Sequence, residues 1–223
     1  VILLSEVNCM TMIMNIFEII GTIAFAISGS IVAANKKMDV FGILILGLIT
    51  AVGGGAIRDV IIGNIPPATF QDPFYAIIAL SSSFVLFIIY RLHISNPSPR
   101  FTELTLFIFD SIGLASFTVT GLQITQQLYP HPGITLLLFV GPITGIGGGI
   151  LRDLFAGDIP FIFQKHVYAT ASILGTIFYI ILYFIAPHWI AAITSCLLII
   201  ITRTVSYKFK LNLPGIGTQS KSI

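Results

Sequence analysis

Apolar residues run along this chain in seven long blocks, at about 14–34, 40–62, 74–91, 103–127, 133–155, 167–186 and 188–206. Each is close to the roughly 20 residues that a helix needs to cross a bilayer. Polar or proline-bearing breaks separate them. Asn35-Lys36-Lys37 closes the first block and Pro66-Pro67 follows the second. Asn96-Pro97-Ser98-Pro99 parts the third from the fourth, and Tyr129-Pro130-His131-Pro132, Asp158-Ile159-Pro160 and Pro187 mark the rest. The pattern predicts seven spanning helices and no sheet.

Composition agrees. Of 223 residues, 56% are hydrophobic and 9% are charged, where soluble domains carry about 25% charged residues. Mean hydropathy is +1.00. The chain reads as an all-α, multi-pass protein of the cell inner (plasma) membrane, with the bilayer as its solvent. A net charge of +2 gives no footprint for nucleic acid. Cys9 and Cys196 lie far apart in or near apolar segments and read as small buried hydrophobes. The N-terminus lacks the basic flank of a secretory signal.

Basic residues set the expected orientation. With Arg58 and Arg152 set aside as intramembrane, Lys36, Lys37, Arg91, Arg100, Lys165, Arg203, Lys208, Lys210 and Lys221 remain. All fall on one side if the chain alternates through seven spans. That side is then cytoplasmic, with the N-terminus outside and the C-terminus inside.

The chain also repeats. Gly53–Pro66 and Gly147–Pro160 share eight of fourteen residues without a gap: three Gly, Arg, Asp, then Gly, Ile and Pro. Phe17-Glu18 matches Phe109-Asp110, Gly21 matches Gly113, Phe25 matches Phe117, Gly29 matches Gly121 and Tyr75-Ala76 matches Tyr168-Ala169. Three spans per copy is an odd number, so the second copy runs opposite to the first. This is the inverted repeat of transporters, whose sites lie near the midplane between halves. The expected organisation is an N-terminal segment 1–13, a first three-helix repeat 14–91, a second, inverted repeat 103–186, a seventh helix 188–206 and a cytoplasmic tail 207–223.

Glycine triplets weaken a helix, each residue costing roughly 1 kcal/mol relative to alanine. Gly53, Gly54, Gly55 and Gly147, Gly148, Gly149 fit two readings. One is close helix packing, because small residues let backbones approach. The other is a kink or unwinding in spans two and five, which would turn unpaired carbonyls towards the midplane, where they suit a cation.

Arg58, Asp59, Arg152, Asp153, Glu18 and Asp110 all fall inside apolar spans. Each costs on the order of 2.5–3.5 kcal/mol at the centre of an isolated helix, so each is expected to face protein or water. Neighbouring residues point about 100° apart on a helix, so Arg58 is not expected to pair with Asp59. Matched depths suggest Glu18–Arg58 and Asp110–Arg152 as symmetry-related pairs. The alternative is that each arginine snorkels to its interface or caps carbonyls. Two arginines against four carboxylates leave a formal −2, which favours cations.

Other signals are weaker. Ser28, Ser30, Thr50, Thr118, Thr120 and Thr144 could offer pathway hydroxyls or bond carbonyls of their own helices. His93, His131, His166 and His188 show no metal spacing, and Trp189, Tyr90, Tyr129 and Tyr207 sit where interface anchors sit. GGGxxRD lacks the Lys and Ser/Thr of a phosphate loop. No catalytic, cofactor or metal motif is present, so an enzyme is not expected.

Two copies of GGGxxRD-(x)3-G-x-I-P in a three-plus-three-plus-one chain resemble the bacterial members of the trimeric intracellular cation (TRIC) channel family, also catalogued as a glycine-transporter-like domain. The resemblance covers about residues 14–206. It implies a homotrimer with a pore in each protomer and permeation by potassium or other monovalent cations. It implies glycine-kinked second and fifth helices beside that pore, with Arg58, Asp59, Arg152 and Asp153 as associated polar positions. The animal channels carry Lys-Glu-Val in the fourth span; here the residues are Thr102-Glu103-Leu104-Thr105, without that lysine. A secondary transporter for a small zwitterion such as glycine suits the same broken helices. On the channel reading Arg58 and Arg152 would brace the kinks and could gate the path.

Overall fold

The computed structural model describes residues 2–92, 98–164 and 167–210, with the backbone alone for 2–9 and 164. Among these residues the chain is helical, without strands. The long helices are α1 (Ile2–Asn35), α2 (Val40–Ile61), α4 (Phe74–Leu92), α5 (Pro99–Leu128), α6 (Ile134–Phe155), α8 (Ala169–Tyr183) and α9 (His188–Phe209). Two four-residue helices, α3 (Ala68–Gln71) and α7 (Phe161–Gln164), follow α2 and α6. The break at Asn96-Pro97, His93, Lys165, His166, Lys221 and most of the tail lie outside the described residues.

Local chemistry explains the boundaries. Asp39 caps α2 by accepting from the Gly42 amide at 2.8 Å, and Ser98 caps α5 ahead of Pro99. Two lengths depart from expectation. The first helix starts at Ile2, because no proline or glycine interrupts residues 2–13, and it contains the candidate span Met10–Asn35. The sixth long helix has 15 residues. At 1.5 Å per residue it is shorter than the hydrocarbon core of about 30 Å. Phe184 to Ala186 turn the chain into Pro187, which caps α9. Six helices are thus long and apolar enough to cross a membrane, and α8 is a shorter apolar partner.

The two repeats pack face to face. A Cβ on Gly54 would strike the Thr144 carbonyl oxygen, and a Cβ on Gly148 would strike that of Thr50. Residue 54 corresponds to 148, and 50 to 144, so the contact is reciprocal. It runs forward along α2 as it runs backward along α6, which makes the crossing antiparallel. The same reciprocity joins α1 to α5. Gly21 sits against Ser116 and Phe117, Gly113 sits against Phe25, and the Phe25 and Phe117 rings lie 5.3 Å apart. An inverted repeat is therefore built into the packing. Helices α1, α2, α5 and α6 form the centre. Helix α4 covers the first repeat and leaves most of its own surface open, while α8 is covered by α9.

Candidate functional site

Both glycine triplets lie within unbroken helix. Neither span is locally unwound at its triplet. Lack of side chains has another use here. It lets the two backbones meet at Gly54 and Gly148, with Gly147 beside Gly54. Gly53 faces the flexible end of Leu151. Pro142, inside α6, removes a ladder bond, the one to the carbonyl of Leu138. Three of the candidate hydroxyls follow the local rule, Thr50, Thr118 and Thr144 donating to the carbonyls of Leu46, Leu114 and Val140 on their own helices, whereas Ser30 donates to the Ile43 carbonyl on α2 and Ser28 accepts from Arg152.

The Arg-Asp dipeptide ends each helix in the same way. Arg58 Nε donates to Asp59 Oδ1 at 2.8 Å, and Arg152 Nε donates to Asp153 Oδ1 at 2.8 Å. Neighbours therefore do pair, against expectation. The Cβ vectors diverge, but the arginine stem is long enough to fold back, and a buried guanidinium without a carboxylate is costlier than the bend. The second oxygen of each aspartate accepts the first amide of the next short helix, Ala68 N at 2.8 Å and Phe161 N at 2.8 Å. Each aspartate thus holds its arginine and caps the segment that follows. Between them, Gly63 and Gly157 adopt φ of 72° and 74°. Only glycine enters that region without penalty, and it lets the chain leave the helix. The motif G-x-x-R-D-(x)3-G-x-I-P is thereby accounted for as crossing, fork and turn.

The two ends differ in what else they hold. Arg152 is fully buried. Its Nη1 donates to Asp110 Oδ1 at 2.7 Å and to Ser28 Oγ at 2.5 Å, and the Phe161 ring lies 5.0 Å from its Cζ. Its Nη2 lies 2.8 Å from Asp153 Oδ1 but off-line, an ion pair without a hydrogen bond. The depth-matched pair Asp110–Arg152 is thus present. Asp110 also takes the Tyr168 hydroxyl at 3.2 Å and Arg203 Nη2 at 2.8 Å. Arg203 in turn donates from Nε to Ser111 Oγ at 3.1 Å and stacks 4.5 Å from the Tyr168 ring.

At the other end the Glu18 carboxylate accepts the Tyr75 hydroxyl at 2.6 Å. Among the described residues it makes no direct ion pair with Arg58, which lies near enough to act on it electrostatically. Tyr75 on α4 reaches the carboxylate first, as Tyr168 reaches Asp110.

Arg203 was expected among the surface charges that set orientation. It is 6% exposed and belongs to the buried cluster. Its sequence signal was its place inside the apolar run 188–206, the ground on which Arg58 and Arg152 were already set apart. With it counted, three arginines face four carboxylates, a formal −1 in place of −2. Below the cluster, a cavity of about 810 Å³ is lined by Glu103, Phe107, Asp110, Phe161, Arg203 and Tyr207. Arg100, Lys208 and Lys210 also border it. No group of metal-ligating side chains forms among the described residues.

Comparisons with known proteins agree with this geometry. A family model described as glycine transporter matches residues 15–91 and again 107–184, once per repeat. The inner membrane protein YadS of Escherichia coli, of the UPF0126 group, is 35% identical over 199 residues, covering 88% of this chain and 93% of YadS. YvgT of Bacillus subtilis is 33% identical over 204 residues, with 90% and 95% covered. Among solved structures, a prokaryotic TRIC channel crystallised in 0.5 M KCl superposes with a TM-score of 0.82 at 30% identity, covering 91% of this chain and all of that one. A TRIC cation channel studied for the basis of its conductance gives 0.78 at 34% identity, covering 92% and 98%. The Rhodobacter sphaeroides orthologue gives 0.80 at 30%, covering 89% and 99%. The doubled motif, the reciprocal packing and these likenesses together make this chain, which the glycine-transporter model also matches, a member of the TRIC channel family.

Proposed function

We propose that this protein is a potassium-permeable cation channel of the bacterial inner membrane, with a conduction path inside each protomer of a homotrimer. One observation carries the reading: charged forks stand at both ends of a glycine-mediated crossing between antiparallel helices, in a protomer that also buries the polar side chains of Ser28, Ser30, Thr50, Thr118, Thr144 and Gln123. Arg58, Asp59, Arg152, Asp153 and Asp110 are buried, each at a cost on the order of 2.5–3.5 kcal/mol by insertion scales, and capping of the two turns accounts for the aspartates of the forks but not for the arginines and Asp110. A path for ions explains the outlay.

The proposed path follows the α2–α6 crossing. Close approach at Gly54 and Gly148 keeps the lumen narrow, and the forks set the charge at its two mouths. Glu18 and Asp59 outnumber Arg58 at one mouth, which raises the local cation concentration. Carbonyls released by unwinding have no part in this version. The N-out, C-in orientation is retained on the remaining basic residues, which fall on one side if the chain alternates through its spans.

Purified protein in planar bilayers tests the reading. The expected result is unitary currents that reverse at the potassium equilibrium potential. Silence under all voltages and ionic conditions, with the trimer intact, would overturn it.

A second reading is favoured by one feature, the cavity beneath Asp110. Three basic residues border it against Glu103, with Arg203 at its base, and such a pocket suits a carboxylate as well as a cation. A carrier for a small zwitterion such as glycine would show saturable glycine uptake into vesicles without unitary currents.

A further inference from the structure

We infer that Arg203, on the one long helix outside the repeat, is the positioning residue that keeps one end of the path shut, by locking Asp110 onto Arg152. The inference rests on the conduction reading above and names the closed end and the residue that closes it.

The repeat supplies an internal control. Corresponding residues occupy both ends, yet they are arranged differently. At Gly149 an added Cβ would lie 2.5 Å from the Tyr168 hydroxyl and 3.7 Å from Asp110 Oδ1. At the matching Gly55 it would meet only Arg58, at 3.7 Å or more. One end is filled, and its counterpart is open. Arg152 likewise ties α6 to α1 through Ser28 and to α5 through Asp110, whereas Arg58, among the described residues, bonds Asp59 on its own helix.

The difference has a traceable cause. Asp110 and Glu18 are counterparts, and each accepts a tyrosine hydroxyl. Only Asp110 has a second cation, because α9 has no counterpart in the first repeat. Arg203 holds Oδ2 at 2.8 Å and is itself steadied by Ser111 and by the Tyr168 ring. With Oδ2 taken, Oδ1 is turned towards Arg152 and Tyr168. The guanidinium of Arg152 is thereby held where α1, α5, α6 and α7 converge.

Charge acts in the same direction. Arg152, Arg203, Asp110 and Asp153 sum formally to zero, so the closed end offers a cation nothing. The open end, with Arg58, Asp59 and Glu18 ionised, sums to −1. The cavity reaches Asp110 and Arg203 from the α5–α9 side, so the locked cluster stands between that vestibule and the protomer centre. Removing Arg203 would free one carboxylate oxygen and shift the cluster to −1, which invites a cation where none is now attracted.

The test compares Arg203→Gln, Arg203→Lys and Ser111→Ala in planar bilayers. Arg203→Gln should raise open probability severalfold, Arg203→Lys should stay near the parent because the charge is kept, and Ser111→Ala should give a smaller rise. A parent that conducts with Arg203→Gln unchanged would overturn the proposal. If that variant does not assemble, an unaltered Ser111→Ala channel would do so instead.

Should the parent carry no current, conduction fails, and the lock is then read by thiol labelling. With Cys9 and Cys196 replaced by alanine, Ser28→Cys should resist a charged methanethiosulfonate until Arg203→Gln is added. Gly55→Cys should react in both backgrounds. Equal labelling of Ser28→Cys with and without Arg203, or protection of Gly55→Cys, would reject the assignment of closed and open ends.

Discussion

Glycines in one triplet are not equivalent. Gly54 abuts the main chain of α6, while Gly55 looks into open space beside Arg58. Gly54→Ala therefore forces the two helices apart and should cost about 1–3 kcal/mol, the usual range for overpacking. Gly55→Ala should be neutral or stabilise by up to about 1 kcal/mol, through helix propensity alone. Thermal unfolding in detergent separates the two; equal effects would refute the crossing as the reason for the triplet. The residues themselves were legible in the chain, because three glycines and an Arg-Asp pair recur. Their use was less legible. Whether a glycine bends a helix or admits a neighbour depends on what stands opposite, and Thr144 lies 90 positions away from Gly54. The fold-back of Arg58 onto Asp59 escaped the helical-wheel argument because that argument follows Cβ directions, and a guanidinium lies several bonds beyond its Cβ.

At the scale of elements, the turn after each glycine-bearing helix is a device with three parts. A left-handed glycine ends the helix, an aspartate one turn earlier caps the next segment, and a short apolar helix returns along the bundle. Gly157 has φ of 74° and no heavy atom within 4 Å of an added Cβ, so Gly157→Ala tests conformation without a clash. It should cost about 1–2 kcal/mol, the penalty for a side chain in left-handed backbone. Faster hydrogen exchange at the Asp158 amide, which donates to the Asp153 carbonyl at 2.9 Å, would report the loss. No change in stability or exchange would show that the turn is not under this constraint. Element ends were read well wherever proline or a capping side chain marked them. The exceptions are the start at Ile2, which neither marks, and the end at Tyr183, which comes four residues before Pro187.

The molecule as a whole is two copies of one unit clasped at their ends. Tyr129, at the close of α5, donates to the Ile62 carbonyl at 2.7 Å, so the second repeat holds the turn of the first. Lys36, at the close of α1, pairs with Asp158 and holds the turn of the second. The two clasps differ in kind. Tyr129→Phe should lose about 0.5–1.5 kcal/mol, one net hydrogen bond. Lys36→Ala should lose less, because an exposed ion pair contributes about 0–1 kcal/mol and is screened by salt. Melting temperatures at low and high ionic strength distinguish them: only the Lys36 effect should shrink with salt. A salt-sensitive Tyr129 effect would contradict the hydrogen-bond account.

The amino-acid sequence alone determined the class of solvent, the helical architecture, the duplication and its inversion. These follow from composition, block length and an odd number of spans per copy, which are properties of the chain read in order. Tertiary structure alone decided which charges meet. It brought Arg203 from the last helix to Asp110, set the Tyr75 hydroxyl on Glu18, and filled one end of the repeat while leaving its counterpart open. Such pairings depend on long flexible side chains converging from distant elements. Their cost is settled by burial in three dimensions, and no spacing along the chain records it.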